Sequence, residues 1–95
     1  MTQFDLYLGQ DIPGGDTVSD QNILDFLRYD ALLECFTLIK AQGSWNGKQE
    51  ETTILRILEP ISFYSTAQTI ARKYKEAFSQ EAVLFTVTNV RGELI

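Results

Sequence analysis

The stretch FTLIKAQGSWNGKQEETTILRIL, residues 36–58, decides the fold that this sequence predicts. Phe36–Gln42 alternates with the period of a strand, and residues 50–58 are rich in Thr, Ile and Leu, which predicts a second strand. Gly43–Gly47 lies between them as the predicted turn, with Trp45 at its tip. Asn46-Gly47 is a strong hairpin signal because both residues tolerate positive φ. The stretch therefore predicts an antiparallel hairpin.

A strand and a helix are predicted before this hairpin. Gln3–Gly9 alternates apolar and polar residues, as a half-buried strand does. Gly9–Asp16 contains three glycines and a proline, which predicts a loop without regular structure. Ser19 is a suitable N-cap, and the apolar spacing after it predicts a helix over residues 20–33.

A second helix and a last strand are predicted after the hairpin. Pro60 ends the preceding strand. Ser65 followed by Gln68 has the spacing of a capping box, and the apolar residues from Ala67 to Phe78 recur at helical spacing. Ala82–Val90 is rich in Val, Leu and Phe, which predicts the final strand.

The order strand, helix, strand, strand, helix, strand predicts an α+β fold in one domain, residues 1–95. Two right-handed β-α-β units of this kind interlock into a ferredoxin-like β-α-β-β-α-β arrangement, a four-stranded antiparallel sheet with two helices on one face. In that topology the segments Gly9–Asp16, Gly43–Glu50 and Phe78–Glu81 meet at one end of the molecule.

The other sheet face is left open in this arrangement. The residues expected on it are partly apolar: Tyr7, Ile39, Ile54, Leu58 and Leu84. An exposed apolar face indicates an interface, and a symmetric pair of identical chains is the commonest way to cover it. We therefore expect a homodimer.

Charge and composition limit the classes of partner. The net charge is −5, and residues 1–34 hold seven of the thirteen acids but only one base, Arg28. This balance disfavours nonspecific binding to nucleic acid or to an anionic membrane, and suits either a solvated surface or a basic protein partner. No apolar run reaches the ~20 residues of a membrane helix, and no signal-peptide pattern is visible, so we expect a cytoplasmic protein.

The residue types offer little catalytic chemistry. The chain has no histidine and one cysteine, Cys35, which is expected to be a buried apolar residue at the start of a strand. Zinc, haem and iron–sulfur sites are therefore disfavoured, and no cofactor or metal is expected. No arrangement of nucleophile, acid and base is recognisable.

Several short segments, in their order and spacing, resemble the small bacterial family catalogued as domain of unknown function 3574. They are Leu6–Gln10, Gly15 with Val18–Asp20, Phe26-Leu27, Thr37–Trp45, Glu50-Glu51 before Ile54-Leu55, Tyr74, and Phe78–Glu81 before Val83-Leu84. The resemblance spans most of the chain and implies the ferredoxin-like fold but no reaction. The family pattern has an arginine where this chain has Gln10, and a glutamine where it has Ser44.

The candidate site residues come from this resemblance together with the topology. They are Gly9, Gln10, Trp45, Glu50, Glu51, Tyr74 and Gln80, most of which map to the end where the three loops meet. Our first hypothesis is a binding module that acts through a protein partner, with Trp45 as an anchor. Trp45 could equally fold back over Tyr74 and Phe78. The alternative function is a small-ligand binder or enzyme with a pocket between sheet and helices, in which Tyr7, Tyr74, Gln80 and Glu50 or Glu51 would be the polar groups.

Overall fold

Two helices cover one face of a four-stranded antiparallel sheet. The computed structural model describes residues 1–95. Its elements are β1 (Thr2–Gly9), α1 (Asp20–Asp25, continued by a π-helical turn at Phe26–Asp30), β2 (Thr37–Trp45), β3 (Lys48–Glu59), α2 (Tyr64–Ala77, preceded by a 3-10 turn at Ile61–Phe63) and β4 (Leu84–Asn89). The strand order β2-β3-β1-β4 confirms the predicted ferredoxin-like arrangement.

The core lies between the sheet and the two helices. β1 pairs with β3 so that Phe4 lies opposite Ile57 and Leu6 opposite Leu55, which places these side chains on the same face. All four are fully or almost fully buried. The helices contribute the rest of the apolar cluster, chiefly Ile23, Phe26, Leu27, Ala67, Ile70 and Tyr74.

The first helix begins where the sequence predicts and ends earlier. The Ser19 hydroxyl accepts from the Asn22 N–H at 3.0 Å, and the Asn22 side chain accepts from the Ser19 N–H, which completes a capping box. The π-helical turn ends at Asp30, and Leu32 has a φ of 54°. A left-handed residue cannot continue a right-handed helix, so the prediction that the helix runs to residue 33 is wrong.

The hairpin is tighter than predicted. Gly43 and Ser44 pair with Glu50 and Gln49, so the strand ladder runs through the residues that we expected in the turn. Only Asn46 and Gly47 form the turn, with φ of 50° and 79°. These are the positive angles of a two-residue type I′ turn. Trp45 is therefore the last residue of β2, paired with Lys48, and is not at the tip of a loop.

The predicted cap of the second helix is wrong. After Pro60 the chain makes a 3-10 turn in which the Phe63 N–H donates to the Pro60 carbonyl at 2.9 Å, and α2 begins at Tyr64. Ser65 therefore lies inside the helix. The rings of Phe63 and Tyr64 pack on Phe4 at centroid distances of 5.9 and 6.3 Å, so aromatic packing fixes the helix entry without a side-chain cap.

Two further expectations need correction. Cys35 is exposed, because β2 begins two residues later, at Thr37, and leaves Cys35 in the preceding loop. β4 covers Leu84–Asn89 and is shorter than the predicted Ala82–Val90.

None of the helices has the length and apolarity needed to cross a bilayer.

Candidate functional site

Three segments that are distant in sequence meet at the hairpin end of the sheet, as the topology predicts. The Asp11 N–H donates to the Glu50 carboxylate at 3.3 Å, which joins the first loop to β3. The Gln80 amide donates to the Asp11 carbonyl at 2.9 Å, which joins the first loop to the segment after α2. The Trp45 indole N–H donates to the Glu81 carboxylate at 2.9 Å. We call this region, formed by residues 9–16, 43–50 and 78–81, the hairpin end.

Tyr74 anchors the end of β1 from beneath. Its ring is fully buried against Phe26 and Phe78, and its hydroxyl donates to the Gly9 carbonyl at 2.6 Å. Burial, and then the nearby Glu50 carboxylate, raises the pKa of the Tyr74 hydroxyl well above its ordinary value. Tyr74 is thus a neutral hydrogen-bond donor that holds the backbone in place, and it is not accessible to a partner.

Gly9 is needed because two side chains approach its backbone closely. A Cβ at this position would collide with the Glu50 carboxylate oxygen Oε1 and would lie 2.7 Å from Oε1 of Gln80. Glu50 and Gln80 therefore sit directly over Gly9. Neighbouring residues in a strand point to opposite faces, so only Glu50 takes this position, and the side chain of Glu51 is exposed on the other side.

Gln10 is the centre of a buried hydrogen-bond network. Its amide nitrogen donates to the Val18 carbonyl at 3.1 Å and to the Asp20 carboxylate at 3.0 Å. Its amide oxygen accepts from Lys40 at 2.7 Å and from the Thr53 hydroxyl at 2.9 Å. Every hydrogen-bonding position of the side chain is therefore used. Gln10 joins the first loop, α1, β2 and β3, and has no free group to offer a ligand.

Lys40 and Asp20 complete this network at the surface. The Lys40 ammonium lies 2.8 Å from the Asp20 carboxylate, and hydrogen bonds from Lys40 and then Gln10 lower the pKa of Asp20. The predicted site residues did not include Lys40, Asp20 or Thr53. The sequence did contain an indication of this network. Lys40 alternates with Phe36 and Leu38, which places its side chain on the core-facing side of β2, and a charge on that side needs a partner.

A cleft of about 190 Å³ lies beside this network, between α1 and the sheet. Its walls are Ile23, Leu24 and Leu38, and its polar rim is Asp20, Lys40 and Thr53. Tyr7, Tyr74, Gln80 and Glu50, which we expected to supply the polar groups of a pocket between sheet and helices, do not line it. No group of three or more carboxylate or thiol side chains is placed to hold a metal ion.

Trp45 does not cap the core. It is 49% exposed and belongs neither to the core cluster nor to the apolar residues packed against it, so the interpretation in which it folds over Tyr74 and Phe78 is wrong. Its indole N–H is held by Glu81. The ring is therefore fixed at one edge while about half of its surface faces solvent. Of the predicted site residues, Trp45 and Glu51 are the exposed ones.

Comparison with known proteins gives a family and a fold. The family described as "Protein of unknown function (DUF3574)" matches residues 3–93. No match was found among curated proteins. A solved structure described as a phage SAM lyase in the apo state superimposes with a TM-score of 0.75 and covers 92% of this chain and 78% of its own. At 15% identity this likeness shows a shared fold.

Proposed function

This chain belongs to the family of proteins of unknown function DUF3574, and we propose that it is a small cytoplasmic binding module that acts through a protein partner. The observation that carries this proposal is the half-exposed ring of Trp45, tethered through its N–H to Glu81. Exposing a large aromatic ring to water has a cost, and tryptophan is enriched among the residues that dominate binding at protein interfaces. The tether lowers the entropy that the ring would lose on binding.

The charges around Trp45 indicate the chemistry of the partner. Asp11, Glu50 and Glu81 lie at the hairpin end, and Lys48 is the base that faces Trp45 across the turn. The other nearby lysine, Lys40, is already paired with Asp20. A tryptophan face among carboxylates suits an Arg or Lys side chain, which can stack on the ring while the acids attract its charge. The proposed partner therefore presents a basic segment.

Capture from a lysate of the source cell tests this function. Tagged wild type, Trp45→Ala and Tyr29→Ala are compared, since Tyr29 is 73% exposed in the helical region of the chain and serves as the matched aromatic control. We expect one protein with a basic segment to be retained by wild type and Tyr29→Ala, released by salt, and absent from Trp45→Ala. Equal retention by a folded Trp45→Ala variant would exclude the hairpin end as the contact.

A second candidate function, binding of a small ligand with or without catalysis, is favoured by two observations. One is the cleft beside Lys40 and Asp20, and the other is the fold shared with a SAM lyase. The Asp20 carboxylate at the rim of this cleft is a group that attracts a sulfonium cation such as that of S-adenosylmethionine. The cleft is smaller than the roughly 300–1,000 Å³ of pockets that enclose drug-sized ligands, so it would hold only part of such a molecule.

Thermal unfolding with S-adenosylmethionine, beside S-adenosylhomocysteine, which lacks the positive sulfur, tests this candidate. Binding at the cleft through the Asp20 carboxylate predicts a rise in melting temperature with the first compound, a smaller rise with the second, and loss of the difference in Asp20→Asn. An unchanged melting temperature at millimolar concentrations of both compounds would argue against it.

A further inference from the structure

The sheet face that the helices leave open carries an apolar row across all four strands. Cross-strand pairing places Leu84 beside Tyr7, Tyr7 beside Ile54, and Ile54 beside Ile39. Leu84 is 56% exposed, and the other three are partly exposed. With three gaps of about 4.8 Å between strands, the row is ~14 Å long before the side chains are added.

The rows on either side of this apolar row carry little unpaired charge. On one side Arg56 donates two hydrogen bonds, both of 3.0 Å, to Asp5, which is only 5% exposed. Their cross-strand neighbours are Thr37 and Thr86. On the other side the register places three small residues, Gly9, Thr52 and Ala41, and the Glu50 carboxylate lies over Gly9. The apolar row and the Arg56 row therefore contain no unpaired charge, and Glu50 is the one carboxylate without a basic partner in the third row.

We propose that a second copy of this chain packs on the open face and forms a two-fold symmetric dimer. Two molecules that each carry five excess negative charges repel one another, so they approach best through the surface that carries the least unpaired charge. An apolar row that crosses the whole sheet packs on its own symmetry mate, as a two-fold interface requires. A basic partner would find a single unpaired carboxylate, that of Glu50, at the edge of these three rows, and an anionic membrane would find no excess of base.

The size of the face fits a dimer of moderate strength. β1 has eight residues. Strands of that length rise about 3.3 Å per residue, and four of them spaced about 4.8 Å apart present a projected area of roughly 500 Å². Two such faces together present roughly 1,000 Å², which is near the lower limit for a specific interface. We therefore expect a dimer that dissociates on dilution.

Sedimentation velocity across a range of protein concentrations tests the dimer. Wild type is compared with Leu84→Asp, with Ile54→Asp and with Ile61→Asp. Ile61 is 59% exposed in the turn before α2, outside the sheet, so it controls for the loss of an exposed apolar side chain and the gain of a charge. Circular dichroism and thermal unfolding establish that each variant is folded. Leu84→Asp is decisive if Ile54→Asp proves unstable.

We expect wild type and Ile61→Asp to shift from monomer to dimer as concentration rises. Leu84→Asp should raise the dimer dissociation constant at least about tenfold, because it places an unpaired charge in the apolar row that would be buried. A wild type that stays monomeric, one that forms a trimer, or a Leu84→Asp variant that dimerises as wild type does would each overturn the proposal. The outcome is independent of partner capture, because the Trp45→Ala variant leaves the three rows intact.

Discussion

The indole N–H of Trp45 donates a 2.9 Å hydrogen bond to the carboxylate of Glu81, a residue 36 positions later in the chain. The bond links the last residue of β2 to the segment between α2 and β4, and it fixes the edge of a ring that is half exposed. This relationship makes the hairpin end an ordered surface with an aromatic group on it.

Glu81→Ala should free the Trp45 ring without unfolding the protein. The bond is exposed, so its removal should lower the free energy of unfolding by no more than about 1 kcal/mol. Trp45 is the single tryptophan, so its fluorescence reports the ring directly. We expect a red-shifted emission with lower anisotropy in Glu81→Ala, and an intermediate change in Glu81→Gln, which keeps an acceptor. An unchanged spectrum and anisotropy in Glu81→Ala would show that the bond does not order the ring.

Tyr74→Phe should destabilise the fold by about 1–3 kcal/mol, because it leaves the Gly9 carbonyl without its donor in a buried position. Urea denaturation measures the change. Tyr29→Phe removes the same atom from an exposed side chain and should leave the unfolding midpoint unchanged. Equal midpoints for the two variants would mean that the Tyr74 hydroxyl contributes nothing to the end of β1.

Gly9→Ala should cost about 1–3 kcal/mol, because its Cβ enters space held by Glu50 and Gln80. A double-mutant cycle with Glu50→Ala tests the cause, since removing the Glu50 side chain should relieve part of the cost. Gly92→Ala is the control, because no heavy atom lies closer than 3.7 Å to its added Cβ. Strictly additive effects of Gly9→Ala and Glu50→Ala would contradict the proposed contact.

The Asp20–Lys40 contact should make stability depend on pH in the acid range. Hydrogen bonds lower the folded-state pKa of Asp20 below its unfolded-state value. The contribution is therefore fully present above the unfolded-state pKa of about 4 and is lost as the pH falls through the folded-state pKa. Melting temperatures of wild type and Asp20→Asn should differ at neutral pH and converge in acid. A difference that stays constant down to the lowest accessible pH would exclude this linkage.

Periodicity and topology predicted the fold and the convergence of the three loops. Alternation of apolar and polar residues predicted β1 and the strands of the hairpin. The order of the elements predicted that the loops carrying Asp11, Glu50 and Gln80 meet, and the hydrogen bonds between these residues confirm it. The exact ends of the elements depend on tertiary packing. α2 begins at Tyr64 because Phe63 and Tyr64 pack on Phe4, an interaction across some sixty residues that no local cap signal contains.

The candidate site was predicted only in part, because exposure is a property of the folded chain. Tyr74 and Gln10 were selected beside Trp45, but the structure buries both and uses their polar groups within the protein. Lys40 was not selected because its partners, Gln10 and Asp20, come from other elements. The residues of the open sheet face could be predicted from alternation along the strands alone. The structure pairs Tyr7 with Ile54 and with Leu84, so these three residues lie on the same face, as predicted.

The affinity of a captured partner for wild type and for Trp45→Ala, measured by calorimetry at low and high salt, tests the central proposal most directly. If Trp45 anchors a basic segment, its removal should weaken binding at least about tenfold, and salt should weaken binding to wild type. The same affinity for both proteins, or an affinity that does not change with salt, would contradict a binding surface built from Trp45 and the carboxylates around it.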